Sequence, residues 1–305
     1  FSKVLTESNT THKSVPMLMS DITAYNFDSI YHQKGIITAF KEAGYQTAFF
    51  SNQRYNHSFI DFFGKEADTF DFIKEDSLDS AYNPSDDELL ALVAKELSKG
   101  NQKQFIVLHT YGSHFNYRER YPSEDAFFLP DYPVEAEVKY RDNLVNAYDN
   151  TIRYTDSFLS RLIHMLEEQH VDAAMLYTSD HGEDIFDDSR HLFLHASPVP
   201  SYYQLHVPFL IWMSDTYREA YPEHWQTVTG NKDKDVSSSC SFFPTMLELG
   251  GVQTSYRNDS SSVVSPLYTM KPRVYLNDHN EPRPLDDLGM KQPDFQKCQV
   301  LGIKY

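Results

Sequence analysis

This 305-residue chain has little basic charge, little cysteine and no long hydrophobic run, and each shortage excludes a class of protein. Its 27 Lys and Arg against 44 Asp and Glu give a formal net charge of −17, which disfavours binding to nucleic acid or to an anionic membrane surface. No stretch approaches the ~20 apolar residues of a transmembrane helix. The longest uncharged window, 191–214, contains three His and three Pro and predicts a loop followed by a strand.

The two cysteines, Cys240 and Cys298, give no disulfide framework and allow either one bridge or two free thiols. The first residues have no initiator Met, no basic segment and no apolar segment of a signal peptide. We interpret this as a chain cut from a longer protein. The 40% hydrophobic content, with 21 Tyr and 21 Phe, is ample for a sizeable core and excludes a disordered chain.

Helix and strand patterns alternate along the chain. Helices are predicted over 29–43, from the capping box of Ser85 and Glu88 to Gly100, over 134–168 and over 242–249. Strands are predicted over 46–50, 105–108, 173–178, 207–213 and 273–276. This alternation is typical of an α/β fold with a mostly parallel sheet, in which the chemistry gathers beyond the carboxyl ends of the strands. We expect 252–266 to be an exposed loop and the Pro-rich tail after Lys271 to be irregular.

The most informative motif is Ser179-Asp180-His181-Gly182-Glu183, directly after the strand predicted over 173–178. A carboxylate oxygen and an imidazole nitrogen are normal zinc ligands. Gly182 allows a sharp turn or a close approach of the backbone to a ligand. Taken alone, such a motif is more often a hydrogen-bonded turn.

Histidines on two other loops favour the site interpretation. His109 and His114 follow the strand over 105–108, and His191 and His195 lie beyond His181. One histidine alone is usually a satisfied surface or core residue. Several at the same sheet edge can bind a metal, hold a phosphate or deliver a proton.

Thr11 lies in a hydroxyl cluster that by itself predicts a helix N-cap. A threonine hydroxyl becomes an effective nucleophile only when a base or a metal lowers its pKa. A zinc ion held by Asp180 and His181 would supply that activation.

Five segments stand out together, in this order: 11–20 (THKSVPMLMS), 108–114 (LHTYGSH), 146–150 (NAYDN), 175–183 (MLYTSDHGE) and 193–196 (FLHA, followed by VPFLIW). In these segments the chain resembles the catalytic domain of bacterial phosphoethanolamine transferases, within the alkaline-phosphatase and sulfatase superfamily. Five motifs in order are far more specific than one. From about Ser214 onward the chain resembles the family only in its general sequence character and not in specific motifs.

The resemblance implies an α/β/α sandwich with a mostly parallel central sheet, one catalytic domain over 1–305 and one or two Zn²⁺ ions. Thr11, directly before x-x-S-V-P, would be the nucleophile and a zinc ligand beside Asp180 and His181. His114 and His195 would contact the transferred phosphate or a second zinc and could protonate the leaving group.

Other matched positions have supporting roles by resemblance. His109, Glu183 and Asp149 are more typical of structural residues around the ligands, and Asp149 could instead form an i,i+4 helix pair with Arg153. The family's substrate-binding lysine has no counterpart between Ser51 and Gly64. The candidate substrate-binding residues are therefore the following: Arg54, His57 and His109.

A second departure concerns the metal. The family has a zinc-ligating Glu in a G-E-S motif on its first strand, and no G-E-S occurs here. Glu7 is too close to Thr11 to replace it. We therefore expect the chain to lack that strand and the family's membrane helices and to bind zinc weakly. Tight zinc binding would point to His12 or His191 as the missing ligand.

The expected reaction transfers phosphoethanolamine from phosphatidylethanolamine, through a phosphothreonine, to lipid A, a core sugar or another envelope glycan. The expected location is the periplasmic face of the bacterial inner membrane, with membrane association through a segment absent from this chain. Two alternatives stay open: a phosphoglycerol transferase of the lipoteichoic-acid-synthase kind, and a non-catalytic remnant that binds lipid headgroups or a partner. A sulfatase activity is disfavoured because no C/S-x-P-x-R motif is present.

Overall fold

The computed structural model describes residues 1–55, 57–74, 83–100 and 103–305. The chain forms two compact units. Unit one comprises 1–43, 170–184 and 195–305, and unit two comprises 44–169 and 185–194. The prediction of one catalytic domain over the whole chain stays a prediction.

The secondary structure alternates as an α/β chain should. The strands are β1 (Val4–Leu5), β2 (Gln46–Ser51), β3 (Thr69–Phe72), β4 (Gln104–His109), β5 (Ala174–Thr178), β6 (Asp184–Ile185), β7 (Phe193–Leu194), β8 (Phe209–Met213), β9 (Val236–Ser237), β10 (Val274–Leu276) and β11 (Pro282–Pro284). The α-helices are α1 (Thr11–Met19), α2 (Ile36–Glu42), α3 (Phe59–Gly64), α4 (Glu88–Leu97), α5 (Arg141–Glu167), α6 (Tyr202–Leu205), α7 (Asp215–Ala220), α8 (Pro222–Asn231), α9 (Ser238–Leu249) and α10 (Gln292–Val300). Short 3₁₀ helices occupy Phe27–His32, Tyr117–Glu119, Ser123–Asp125, Val138–Tyr140 and Leu285–Asp287.

Unit one is built from paired strands with helices packed on them. β1 pairs in parallel with β9, and β5 pairs antiparallel with β8 in a register that places Ala174 opposite Met213. Helix α1 packs against α9. Its core includes two apolar clusters whose buried members are Val4, Val207, Phe209, Val236, Val263 and Tyr268 in the first, and Leu5, Tyr202, Leu205, Tyr275, Leu285, Cys298 and Ile303 in the second. A further cluster contains Met213, Tyr217, Val228, Leu249 and Val264.

Unit two contains the parallel sheet that the sequence predicts. Its strand order is β3-β2-β4, with Phe50 of β2 opposite Leu108 of β4. Helix α4 packs on β2, and the 27-residue α5 buries one face. The buried residues of α5 recur at helical spacing, as the amphipathic pattern requires: Leu144, Ala147, Asn150, Thr151, Tyr154, Thr155, Phe158 and Leu162.

Three local expectations are wrong. The helix predicted over 29–43 is split, because Gly35 caps a new helix that begins at Ile36. Much of the segment predicted as an exposed loop is buried, with Val263 fully inaccessible to solvent. The tail after Lys271 is not irregular throughout, since α10 forms there and buries Cys298 against the second apolar cluster of unit one.

Across the described ranges, none of the helices is both long enough and apolar enough to cross a membrane. The longest, α5, has a strongly polar face and is amphipathic rather than uniformly apolar.

Candidate active site

Thr11 is placed by the short connection from β1 to α1. The chain leaves β1 at Leu5, and α1 begins at Thr11 itself. Within this connection Ser14 Oγ donates to Ser8 O at 3.0 Å, and Thr10 Oγ1 lies 3.2 Å from Ser8 Oγ. Thr11 is half-buried, and its Oγ1 lies 3.1 Å from His181 Nε2.

His181 follows β5 closely, at the point where that strand ends. Its Nδ1 lies 3.0 Å from the carbonyl oxygen of Gly182, and Asp180 Oδ2 lies 3.4 Å from its Nε2. Because a carbonyl oxygen can only accept, the Gly182 contact requires a proton on Nδ1. Nε2 faces both Thr11 and the Asp180 carboxylate, and it can serve as a base or a metal ligand whenever it carries no proton.

Gly182 is required by a close backbone approach. A Cβ at this position would lie 2.1 Å from the carbonyl oxygen of Tyr203 in α6, a distance at which atoms collide. Gly182 N also donates to Gln204 O at 2.9 Å. The sequence predicted a turn or a close approach to a ligand, and the structure shows instead that the loop lies against α6.

His195 lies beside His181 in the same unit. The two ring centroids are 4.1 Å apart with planes tilted by 35°. His195 Nδ1 lies 3.0 Å from Glu183 Oε1, and Ala196 N donates to Asn9 O at 3.2 Å. Glu183 therefore orients one imidazole of the site, as a carboxylate partner of a functional histidine does.

The donor types around His181 fit zinc, which binds imidazole nitrogen and carboxylate oxygen. Thr11, Asp180 and His181 supply a hydroxyl oxygen, a carboxylate oxygen and an imidazole nitrogen. Apart from residues 56, 75–82 and 101–102, which lie outside the description, no group of three or more His, Cys, Asp and Glu side chains is arranged to hold a metal ion. The site thus offers two such ligands, with Thr11 as the third donor.

His109 belongs to unit two and is held by its neighbours. Ser51 Oγ lies 2.9 Å from its Nδ1, and Gln53 Nε2 lies 3.3 Å from its Nε2. Because the amide nitrogen of Gln53 is a donor only, the lone pair of His109 Nε2 is engaged. The ring also stacks on Phe49 with centroids 6.2 Å apart.

The other three candidates of unit two are exposed. His114 Nδ1 lies 2.5 Å from Phe115 O, and Arg120 Nε donates to His114 O at 3.1 Å. Arg54 and His57 are exposed as well, and the ring of His57 packs edge-on against Tyr55. The structure thus brings Thr11, Asp180, His181 and His195 together in unit one, and it places Arg54, His57, His109 and His114 in unit two.

Both cysteines are free thiols, which resolves the alternative left open by their number. Burial in an apolar cluster raises the pKa of Cys298 to about 11. Cys240 Sγ donates to Glu7 Oε1 at 2.8 Å, and burial raises its pKa as well.

Sequence reasoning missed the role of Glu7, which is a buried anchor in the connection that leads to Thr11. Its carboxylate accepts hydrogen bonds from Ala24 N at 3.0 Å and from Ser237 Oγ at 3.1 Å, besides the Cys240 thiol. Burial raises the pKa of Glu7. The only sequence signal was its place shortly after β1, which does not reveal partners more than 200 residues away.

Comparisons with known proteins identify the family of this chain. A sulfatase family profile matches residues 1–252. Phosphoethanolamine transferase EptA of Salmonella typhimurium is 29% identical over 262 residues, which cover 83% of this chain and 47% of that protein. The Kdo(2)-lipid A phosphoethanolamine 7''-transferase of the same organism is 38% identical over 126 residues, covering 41% of this chain and 21% of that protein. The chain spans about half the length of the first of these relatives.

A solved structure supports the fold. The crystal structure of the C-terminal periplasmic domain of EcEptC from Escherichia coli, in complex with Zn, superposes with a TM-score of 0.84 at 22% identity. The match covers 95% of this chain and 82% of that chain. The predicted α/β fold of alkaline-phosphatase and sulfatase type is confirmed.

Proposed function

This chain belongs to the sulfatase family, and from that premise we propose that it is the catalytic part of a phosphoethanolamine transferase with Thr11 as its nucleophile. The observation that carries the proposal is the 3.1 Å approach of Thr11 Oγ1 to His181 Nε2, with Asp180 Oδ2 3.4 Å from the same nitrogen. The similarity to a phosphoethanolamine transferase over most of this chain supports phosphoethanolamine as the transferred group.

The donor in this proposal is phosphatidylethanolamine, and the acceptor is lipid A or another envelope glycan. The acceptor class is supported by the similarity to a Kdo(2)-lipid A phosphoethanolamine 7''-transferase. The location is the periplasmic face of the bacterial inner membrane, with the whole protein anchored by a segment outside this chain. Support for the location comes from the likeness to a periplasmic domain.

The chemistry proceeds by two displacements at phosphorus. First, a bond forms between Thr11 Oγ1 and phosphorus, the bond to the diacylglycerol oxygen breaks, and diacylglycerol leaves with the proton that balances the one lost by Thr11. In the second step an acceptor oxygen attacks, the Thr11 ester breaks, and the acceptor's proton restores the threonine hydroxyl. A covalent intermediate of this kind replaces one difficult step by two easier ones.

Asp180, His181 and Thr11 are the residues that would hold Zn²⁺, as one ion or as the first of two. When bound, the ion lowers the pKa of the threonine hydroxyl and neutralises charge on the phosphate oxygens. The chain's own contribution is to hold Thr11 against His181 and to keep His181 in the tautomer with its lone pair on Nε2.

His195 protonates the leaving oxygen in this scheme, with Glu183 holding its other ring nitrogen at 3.0 Å. His114 contacts the transferred phosphate, an assignment that rests on the family resemblance. Arg54 and His57, the nearest cationic side chains where the family has its substrate-binding lysine, bind substrate, and His109 supports them through its own hydrogen bonds.

The first test maps the covalent intermediate. With phosphatidylethanolamine as donor, mass spectrometry should find a phosphoethanolamine adduct on Thr11 of the full-length wild-type enzyme. Thr11→Ala should abolish both adduct and transfer while leaving the unfolding free energy within about 0.5 kcal/mol, because a half-exposed hydroxyl contributes little to packing. Thr10→Ala is the matched control, since it removes the neighbouring hydroxyl and should keep the adduct.

An adduct on another residue, or full activity of Thr11→Ala, would contradict the proposal. Parallel incubation with phosphatidylglycerol separates the alternatives. A phosphoglycerol adduct would indicate the lipoteichoic-acid-synthase type of enzyme, and absence of any adduct with either lipid would indicate a binding remnant.

The second test concerns the metal. His181→Ala and Asp180→Ala should each lower the zinc content measured by elemental analysis, since catalytic zinc usually needs three protein ligands. His195→Ala should slow turnover and leave the zinc content largely unchanged. Stoichiometric zinc in His181→Ala would show that the metal ligands are assigned wrongly.

A further inference from the structure

Three loops carry the candidate site of unit one, and a single buried side chain lies behind all of them. One loop is the connection from β1 that ends at Thr11, the first residue of α1, and the other two hold His181 and His195. The side chain is Gln204, the third residue of α6, which is fully inaccessible to solvent. The proposed chemistry assigns it no role.

The amide of Gln204 reaches each loop directly. Its Nε2 donates to Asp184 Oδ2 at 2.6 Å, three residues beyond His181, and to Ser197 Oγ at 2.9 Å, two residues beyond His195. Its Oε1 accepts from Asn9 Nδ2 at 2.6 Å, two residues before Thr11.

The donor and the acceptor of each hydrogen bond in this series are fixed by the groups at its two ends. The Asp184 carboxylate can only accept, so the amide nitrogen of Gln204 must face it and the amide oxygen must face Asn9. Asn9 then turns its own oxygen towards Tyr275, whose hydroxyl donates to it at 2.6 Å. The second hydrogen on Asn9 Nδ2 goes to Ser197 O at 3.0 Å, so all four amide hydrogens of Asn9 and Gln204 have acceptors.

Backbone contacts tie the same loops to α6. Gly182 N donates to Gln204 O at 2.9 Å, and Ala196 N donates to Asn9 O at 3.2 Å. Asp184 is further held by Ser201 Oγ, which lies 2.9 Å from each of its oxygens. A buried polar network that is fully satisfied specifies one arrangement, because any displaced member leaves an unpaired group in a low-dielectric interior.

We propose that Gln204, through Asn9, Asp184 and Ser197, is the positioning residue that sets Thr11, His181 and His195 in register with one another. The effect of Gln204 on turnover rests on the proposed function, whereas its effect on the positions of the three residues does not. Displacements of about 1 Å at reacting groups cost on the order of 100-fold in rate.

The test compares Gln204→Met with Asn231→Leu. Both changes remove a buried amide and keep its approximate volume, and Asn231 lies in the same unit with its amide on Val263 O at 2.9 Å, away from the three loops. Both variants should lose thermal stability. Only Gln204→Met should shift the imidazole nitrogen resonances of His181 and His195, and only it should lower kcat by about 10- to 100-fold with KM nearly unchanged.

A polarity swap keeps the inference testable if Gln204→Met fails to fold. Gln204→Glu alone places a second carboxylate against Asp184 and should abolish activity or folding. Adding Asp184→Asn restores one donor and one negative charge, because the new amide at position 184 then donates to the carboxylate at position 204. The double variant should regain the His181 and His195 resonances and most of the turnover.

Unchanged histidine resonances and wild-type kcat in Gln204→Met would overturn the inference, as would a double variant no better than Gln204→Glu. If the wild-type protein transfers no phosphoethanolamine, the proposed function fails. The histidine spectra of the four variants would still decide the positioning role.

Discussion

Each unit contains a histidine at or just beyond the end of a strand, His181 in unit one and His109 in unit two. The two side chains have different surroundings. In unit one, His181 Nε2 lies 3.1 Å from Thr11 Oγ1 and 3.4 Å from Asp180 Oδ2, and its Nδ1 contacts a backbone carbonyl. In unit two, both ring nitrogens of His109 are engaged by Ser51 and Gln53.

The difference shows what histidine density can and cannot predict. A histidine after a strand is a candidate in either unit, because the carboxyl end of the strand places it at the sheet edge. Whether such a histidine has a catalytic role depends on the chemistry of the side chains beside it. A nucleophile and a carboxylate beside the same imidazole nitrogen favour a catalytic role, whereas two structural hydrogen bonds and a stacked ring favour a structural role.

The largest effect is expected at the glycines of the two histidine loops. Gly182→Ala in unit one should abolish transfer and lower Tm strongly, because its Cβ would lie 2.1 Å from Tyr203 O. Gly112→Ala in unit two meets nothing closer than Thr110 Oγ1 at 3.6 Å, and its φ of +53° should cost about 1–2 kcal/mol. Circular dichroism melts and transfer assays measure both.

Gly230→Ala is the control in unit one. A Cβ there meets no atom within 4 Å, and the residue lies inside α8, so the change should stabilise by about 0.5–1 kcal/mol. Equal losses for Gly182→Ala and Gly112→Ala would contradict the contrast between the two loops.

The second largest effect is expected on kcat, when substitution of His195 is compared with substitution of His109. His195→Gln should lower kcat by about 100-fold or more, the usual contribution of a general acid. His109→Gln should lower Tm and cause a smaller loss of turnover, because His109 supports the loop by fixed hydrogen bonds. Steady-state kinetics with melting curves separate the two outcomes, and a greater loss of kcat in His109→Gln would reverse the assignment.

The smallest expected effect is on the pH dependence of stability, and it concerns two buried carboxyl groups, Glu7 in unit one and Asp86 in unit two. Burial is the largest cause that raises the pKa of each. A raised folded-state pKa means that the folded protein binds the proton more tightly than the unfolded chain. This contribution to stability is present below the ordinary pKa, 4.5 for Glu7, and is lost as pH rises through the folded pKa.

Glu7→Gln should therefore remove part of the fall in stability on raising the pH above about 4.5, the ordinary pKa of Glu7. Asp86→Asn should remove part of the fall above about 3.8, the ordinary pKa of Asp86. The measurement is the difference in Tm between variant and wild type from pH 4 to 8. A difference that does not change with pH would show that the carboxyl in question is ionised alike in both states.

Sequence alone determined part of the local structure and the candidate residues. β2, β4, β5, β8 and β10 form where apolar runs predict strands, because a run of this length favours a buried strand wherever it packs. The placement of Asp180 and His181 just beyond β5 follows from the same pattern. The Ser85–Glu88 pair also forms, with Ser85 N donating to Glu88 Oε1 at 3.1 Å.

Only the tertiary structure decided which candidates meet. Thr11 and His181 are 170 residues apart, and Asn9 and Gln204 are 195 apart, so no local pattern records their hydrogen bonds. The antiparallel pairing of β5 with β8, the free state of both cysteines and the burial of Glu7 are decided in the same way. Each depends on which surfaces pack together, and packing depends on the summed burial and hydrogen bonding of the whole unit rather than on the propensity of any segment.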